Sequence, residues 1–93
     1  MKLTYSGTIT QLQIELADVL RHGRWKKISN IQWHYRIVDG GILNFYESTG
    51  TVFTQGPLEK RERLMQDMVD HAVKDEFHNL KSLWIVKNES NIY

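Results

Sequence analysis

GGILNFYESTGTVFTQGP, residues 40–57, sets a Ser48-Thr49-Gly50 reversal between two strand-forming runs, 42–47 and 51–55, and closes on a Gly56-Pro57 step. Glycine at position 50 can take a positive φ with no Cβ penalty, Gly56 stops the second run, and Pro57 carries a φ suited to the first position of a helix. The stretch therefore predicts a β-hairpin that passes directly into a helix. Everything else in the chain has to pack around that unit.

Immediately upstream, Ile31, Trp33, Tyr35 and Ile37 alternate with Gln32, His34, Arg36 and Val38. A period of two over such a run predicts a half-buried strand, with the odd-numbered set packed inward and the even-numbered set facing outward. Asp39, Gly40 and Gly41 supply the turn into the hairpin. Carried through the hairpin, the alternation sends Leu43, Phe45 and Val52 inward and Asn44, Tyr46, Thr51, Phe53 and Gln55 outward. The outer face then collects Gln32, His34, Arg36, Asn44, Tyr46, Phe53 and Gln55, a mixture of cations, amides and aromatic rings.

Downstream, Leu64, Met65, Met68, Val69, Ala72 and Val73 form one apolar stripe, so the helix that starts at Pro57 extends to the 71–74 region. Phe77, Leu80, Leu83 and Trp84 continue a helical spacing, which predicts a short helical turn followed by a last strand near 83–86 and a polar, frayed tail. At the other end, residues 2–5 form a short strand stopped by Ser6 and Gly7. Ile9, Leu12, Leu16, Val19 and Leu20 then recur at spacings of three and four, predicting a helix closed by Gly23. Thr10 with Gln13 has capping-box spacing, and Thr8 is the competing cap. Arg21, His22, Arg24, Lys26 and Lys27 crowd around Trp25 in a connector that reads as a basic loop.

A chain of 93 residues with 41% hydrophobic and 25% charged residues is expected to fold as a single domain over 1–93. It has no Cys, which removes disulfides, thiolate metal ligands and a Cys nucleophile and suits a reducing compartment, so the cytoplasm is the expected location. The net charge of +1 gives no general electrostatic attraction for nucleic acid, and any such binding has to come from local clusters. No apolar run is long enough to span a bilayer, and no membrane partner is expected.

Catalytic signatures are missing. The four His residues, at 22, 34, 71 and 78, lack the spacing of a helical zinc site, and the last two fall at helix-surface positions. No G-x-S-x-G elbow, phosphate-cradling G-x-x-x-x-G-K loop or dinucleotide-binding G-x-G-x-x-G occurs. No cofactor or metal is expected, and no enzyme activity. His34 beside Arg36 is the one arrangement that fits metal-free ribonuclease chemistry, which needs a base, an acid and a cation around a phosphate.

The segment ILNFYESTGTVFTQG resembles a pattern found in TATA-binding-protein-like domains, including the N-terminal substrate-binding domain of ribonuclease HIII. Ser48, Thr49 and Gly50 stand at the turn, Val52 and Phe53 in the following strand, and Gln55 and Gly56 at its end. Thr51 stands where the ribonuclease-type pattern often has Lys. The resemblance covers about a fifth of the chain. It implies an antiparallel sheet whose open face binds nucleic acid or protein, with no hydrolytic activity of its own.

The expectation is thus an α+β domain: a curved antiparallel sheet of three to five strands packed on two helices. Its expected role is that of a non-enzymatic accessory or regulatory module engaging nucleic acid through Arg24, Lys26, Lys27, His34, Arg36, Tyr46, Phe53 and Gln55. The alternative is a protein partner. By analogy with small stand-alone domains, that would be an inhibitor or antitoxin-like protein encoded by a mobile element, with a homo-oligomer as one form of it. A small metal-independent ribonuclease built on His34 is the third reading.

Overall fold

Gly50 has φ 75°, and a Cβ there would meet the Tyr5 carbonyl oxygen at 2.5 Å, so glycine is what lets the hairpin turn close against the N-terminal strand. The Tyr5 amide donates to the Gly50 carbonyl at 2.7 Å. In the computed structural model, which describes residues 2–74 and 80–82, that junction joins β1 (Leu3–Tyr5) to the hairpin of β4 (Ile42–Tyr46) and β5 (Thr51–Gln55). The remaining elements are α1 (Ile9–Glu15), β2 (Gly23–Lys27), β3 (Gln32–Ile37), α2 (Leu58–Lys74) and β6 (Leu80–Ser82).

The strands form one open sheet in the order β2-β3-β4-β5-β1-β6, every neighbouring pair antiparallel. The α+β class and the antiparallel sheet on two helices agree with the sequence reading. Among the described residues the sheet has six strands, because two segments read otherwise join its edges. Residues 23–27, expected as a loop, pair with β3 along their whole length, from Gly23 opposite Ile37 to Lys27 opposite Trp33. Residues 80–82, expected within a helical turn, pair with β1. The strand expected at 83–86, the polar tail, and Phe77 and His78 lie outside the described residues.

The first helix is shorter than its apolar periodicity implies. It ends at Glu15, and the chain then descends through tight turns in which Ala17 donates to the Ile14 carbonyl at 3.3 Å and Val19 to that of Leu16 at 3.0 Å. Leu16, Val19 and Leu20 still reach the core, so the spacing of apolar residues persists where the regular helix has given way to turns. Gly23 does not close a helix. It begins β2, where an added Cβ would run into the Arg36 carbonyl oxygen, so its role is close approach of two strands. The cap is Thr8, whose hydroxyl accepts from Gln11 N at 3.2 Å while Gln11 Oε1 accepts from Thr8 N at 2.8 Å. Glu47 secures both neighbouring layers: one carboxylate oxygen accepts from Ile9 N at 3.3 Å and the other from the Trp33 indole at 3.0 Å.

Leu3, Tyr5, Ile37, Leu43, Phe45 and Val52 from the sheet pack with Leu12 and Leu16 and with Leu64, Met65, Met68 and Val69 of α2 in one buried cluster. Trp25, Trp33 and Tyr35 pack on its margin. Ile31, expected inward, is 47% exposed at the entrance to β3, although its carbonyl accepts from Glu47 N at 2.8 Å. His71, expected at the helix surface, is half-buried. Arg21 forms ion pairs with Asp39 at 2.9 Å and, on α2, with Asp67 at 3.8 Å, fastening the chain ahead of β2 to the body of the molecule.

Candidate functional site

Strand register decides what shares the sheet face opposite the helices. Pairing places Arg24, Arg36, Ile42 and Gln55 in one row across β2 to β5, and Lys26, His34, Asn44 and Phe53 in the next. A third row runs Gln32, Tyr46, Thr51 and Thr4. None of these twelve positions carries a carboxylate. Because β2 is a strand, Arg24 and Lys26 stand on the same surface as His34 and Arg36, and the basic segment and the sheet face are one site.

Arg24, Lys26, Arg36 and Gln55 are exposed; His34, Tyr46 and Phe53 are half-buried. Tyr46 and Phe53, diagonal neighbours on β4 and β5, stack with ring centroids 5.8 Å apart and planes 9° from parallel. Of the eight residues singled out in the sequence, seven come together here. The eighth, Lys27, lies on the helix-facing side, with its ammonium 5.7 Å from the centre of the Trp33 ring. Trp25, beside the site in sequence, also turns inward and packs on Tyr35 at 5.0 Å.

Sequence parity places Asn44 on the outer face, yet it is 1% exposed. Its Nδ2 donates to Gln55 Oε1 at 2.9 Å, and its Oδ1 lies 3.5 Å from Gln32 Nε2. Gln32 Nε2 is also 3.0 Å from His34 Nε2. An amide nitrogen can only donate, so the imidazole Nε2 accepts and its proton sits on Nδ1. A polar chain His34–Gln32–Asn44–Gln55 therefore lies across three strands beneath the exposed cations. Burial lowers the His34 pKa, and the nearby Arg36 and Lys26 charges lower it further, which favours the neutral acceptor that this chain requires. Gln32 and Asn44 are the supporting residues that the sequence reading did not single out; only their outward parity was available as a signal.

A cleft of about 590 Å³ opens beside Phe53, between β5 and the first turns of α2. Phe53, Leu58 and Met65 give it apolar walls, Lys2 and Arg61 stand in its lining, and Glu62 is its one carboxylate among the described residues. The Thr54 hydroxyl donates to the Arg61 carbonyl at 3.0 Å, tying α2 to β5 along this wall. Among the described residues no three His, Cys, Asp or Glu side chains group together, and no helix is long and apolar enough to cross a membrane. Comparison with protein-family models, curated proteins and solved structures gives no match.

Proposed function

We propose that this chain is a non-enzymatic binding module that engages nucleic acid through the open face of its sheet. The observation that carries the reading is that, among the described residues, the three rows hold no carboxylate and set Arg24, Lys26 and Arg36 on one face with a stacked Tyr46–Phe53 pair. Cations neutralise phosphates without regard to sequence, and aromatic rings give bases a stacking platform. The resemblance of the hairpin to TATA-binding-protein-like domains points to the same use of a sheet, and the absence of Cys suits work in a reducing compartment such as the cytoplasm. His34 has a structural task here, accepting a hydrogen bond that orients Gln32.

Fluorescence anisotropy with a labelled oligonucleotide tests the reading. For three phosphate contacts on a single strand, log K is expected to fall against log salt with a slope of roughly −2. Arg36→Ala is expected to reduce that slope, and Tyr46→Ala to weaken binding by ~1–3 kcal/mol, the range for one stacked base, with circular dichroism unchanged. Val38→Ala, a change at an exposed residue outside the three rows, is expected to leave binding as it is. Binding that is insensitive to salt and to both site variants overturns the proposal. RNA incubated with the pure protein is expected to stay intact.

A further inference from the structure

We infer that the occupant is an unpaired polynucleotide strand that crosses the sheet from the Arg24–Lys26–Arg36 edge, passes over Tyr46 and Phe53, and enters the cleft where Lys2 and Arg61 stand. The inference rests on the nucleic-acid reading above and adds the form of the ligand and its path. Three observations carry it.

The first is the aromatic pair. Tyr46 and Phe53 are near-parallel with centroids 5.8 Å apart and only half-buried, so part of the pair stays accessible to a further planar group. Within a duplex the faces of a base are covered by its neighbours, and only an unpaired base can offer one to a protein ring. The second is the distribution of charge. Cations stand at both ends of the line, Arg24, Lys26 and Arg36 at the β2 side and Lys2 and Arg61 at the far side of β5, while the rows between them hold no carboxylate. Phosphates need partners along such a line, and the intervening Gln32 and Gln55 amides can meet base edges. The third is the cleft itself, which shares Phe53 with the sheet face. Its volume of about 590 Å³ lies within the range of small-ligand sites, enough for one nucleoside against Leu58 and Met65.

The line from β2 to β5 covers three strand spacings, about 14 Å, before the cleft is reached. The corresponding site size is about 4 nucleotides, the low end of what sheet-type single-strand binders occupy.

A competition experiment separates this inference from the reading beneath it. A fluorescein-labelled single-stranded DNA of about 12 nucleotides is the probe; the same strand unlabelled, its duplex, and a truncated strand of about 2 nucleotides are the competitors. The unlabelled strand is expected to compete at least about tenfold better than the duplex, and the truncated strand to compete poorly. Arg61→Glu and Lys2→Ala are each expected to weaken the long strand by about fivefold or more, while leaving the affinity for the truncated strand unchanged. A duplex that competes as well as the single strand, or cleft variants without effect on the long strand, overturns the path and leaves nucleic-acid binding standing. No binding of either form overturns both.

Discussion

His34 accepts a hydrogen bond from Gln32 at a ring nitrogen that a second proton would turn into a donor. Protonation would set two donors against each other and cost the orientation of Gln32, whose amide is also shared with Asn44. Among the described residues the charges facing the ring are all positive: Arg24 and Lys26 from β2 and Arg36 from its own strand, with no titratable partner opposite it on β4. Its folded pKa accordingly lies below the ordinary 6.5, with burial the larger cause and Arg36 and Lys26 the others. The unfolded chain therefore binds the proton more readily, and stability is expected to fall as pH drops from 6.5 through the folded value. Urea midpoints measured at pH 7.5 and pH 5.5, roughly one unit either side of an unperturbed His, should differ less in His34→Gln than in the unmodified chain. Equal differences in the two proteins would show that His34 contributes no such linkage. Asn44 illustrates a limit of alternation at this scale: parity assigns its face, but its burial depends on Gln32, His34 and Gln55 arriving from other positions on the sheet.

At the scale of elements, the two caps proposed by the sequence make different demands. Thr8 and Gln11 exchange both capping hydrogen bonds, whereas Thr10 lies inside α1. Thr8→Ala is thus expected to cost ~1 kcal/mol in chemical denaturation and Thr10→Ala to change little; the reverse ranking would move the helix start by two residues. The hairpin and α2 were legible because Gly50 and Gly56 take positive φ values that other residues reach only with strain, and Pro57 fixes a φ suited to a helix start. β2 was hidden because GRWKK has one apolar residue and no visible alternation. It is an edge strand with Arg24 and Lys26 outward, and its inward Lys27 lies over Trp33, so charge appears on both of its faces. Such charges also discourage pairing with another chain at that edge. The seven grouped site residues could be named from alternation and composition, but their union into one surface required β2 to be a strand.

Across the described residues, a net charge of +1 for the chain conceals where particular charges stand. Arg24, Lys26 and Arg36 occupy the open face, while Glu47 is bound to Trp33 and the start of α1, and Asp39 and Asp67 are held by Arg21. The alignment of the three cations on the open face rests on one core: if the cluster loosens, the register of the three rows is lost with it. Phe45 is the sharpest probe of that dependence. It is fully buried, pairs with Trp33 and Val52 on either side, and meets Tyr5 of β1 edge-to-face with ring centroids 6.1 Å apart. Phe45→Ala is expected to cost ~3–5 kcal/mol, a large share of the ~5–15 kcal/mol available to a domain. Ile14→Ala, at a position 72% exposed, should stay within about 0.5 kcal/mol of the parent. Because the sheet and α2 share the core, helical and aromatic circular-dichroism signals should be lost in one transition, at a lower denaturant concentration in Phe45→Ala. Loss of the aromatic signal while the helical signal persists would mean that α2 holds without the hairpin, and the open face would then lack the rigid support that its alignment requires.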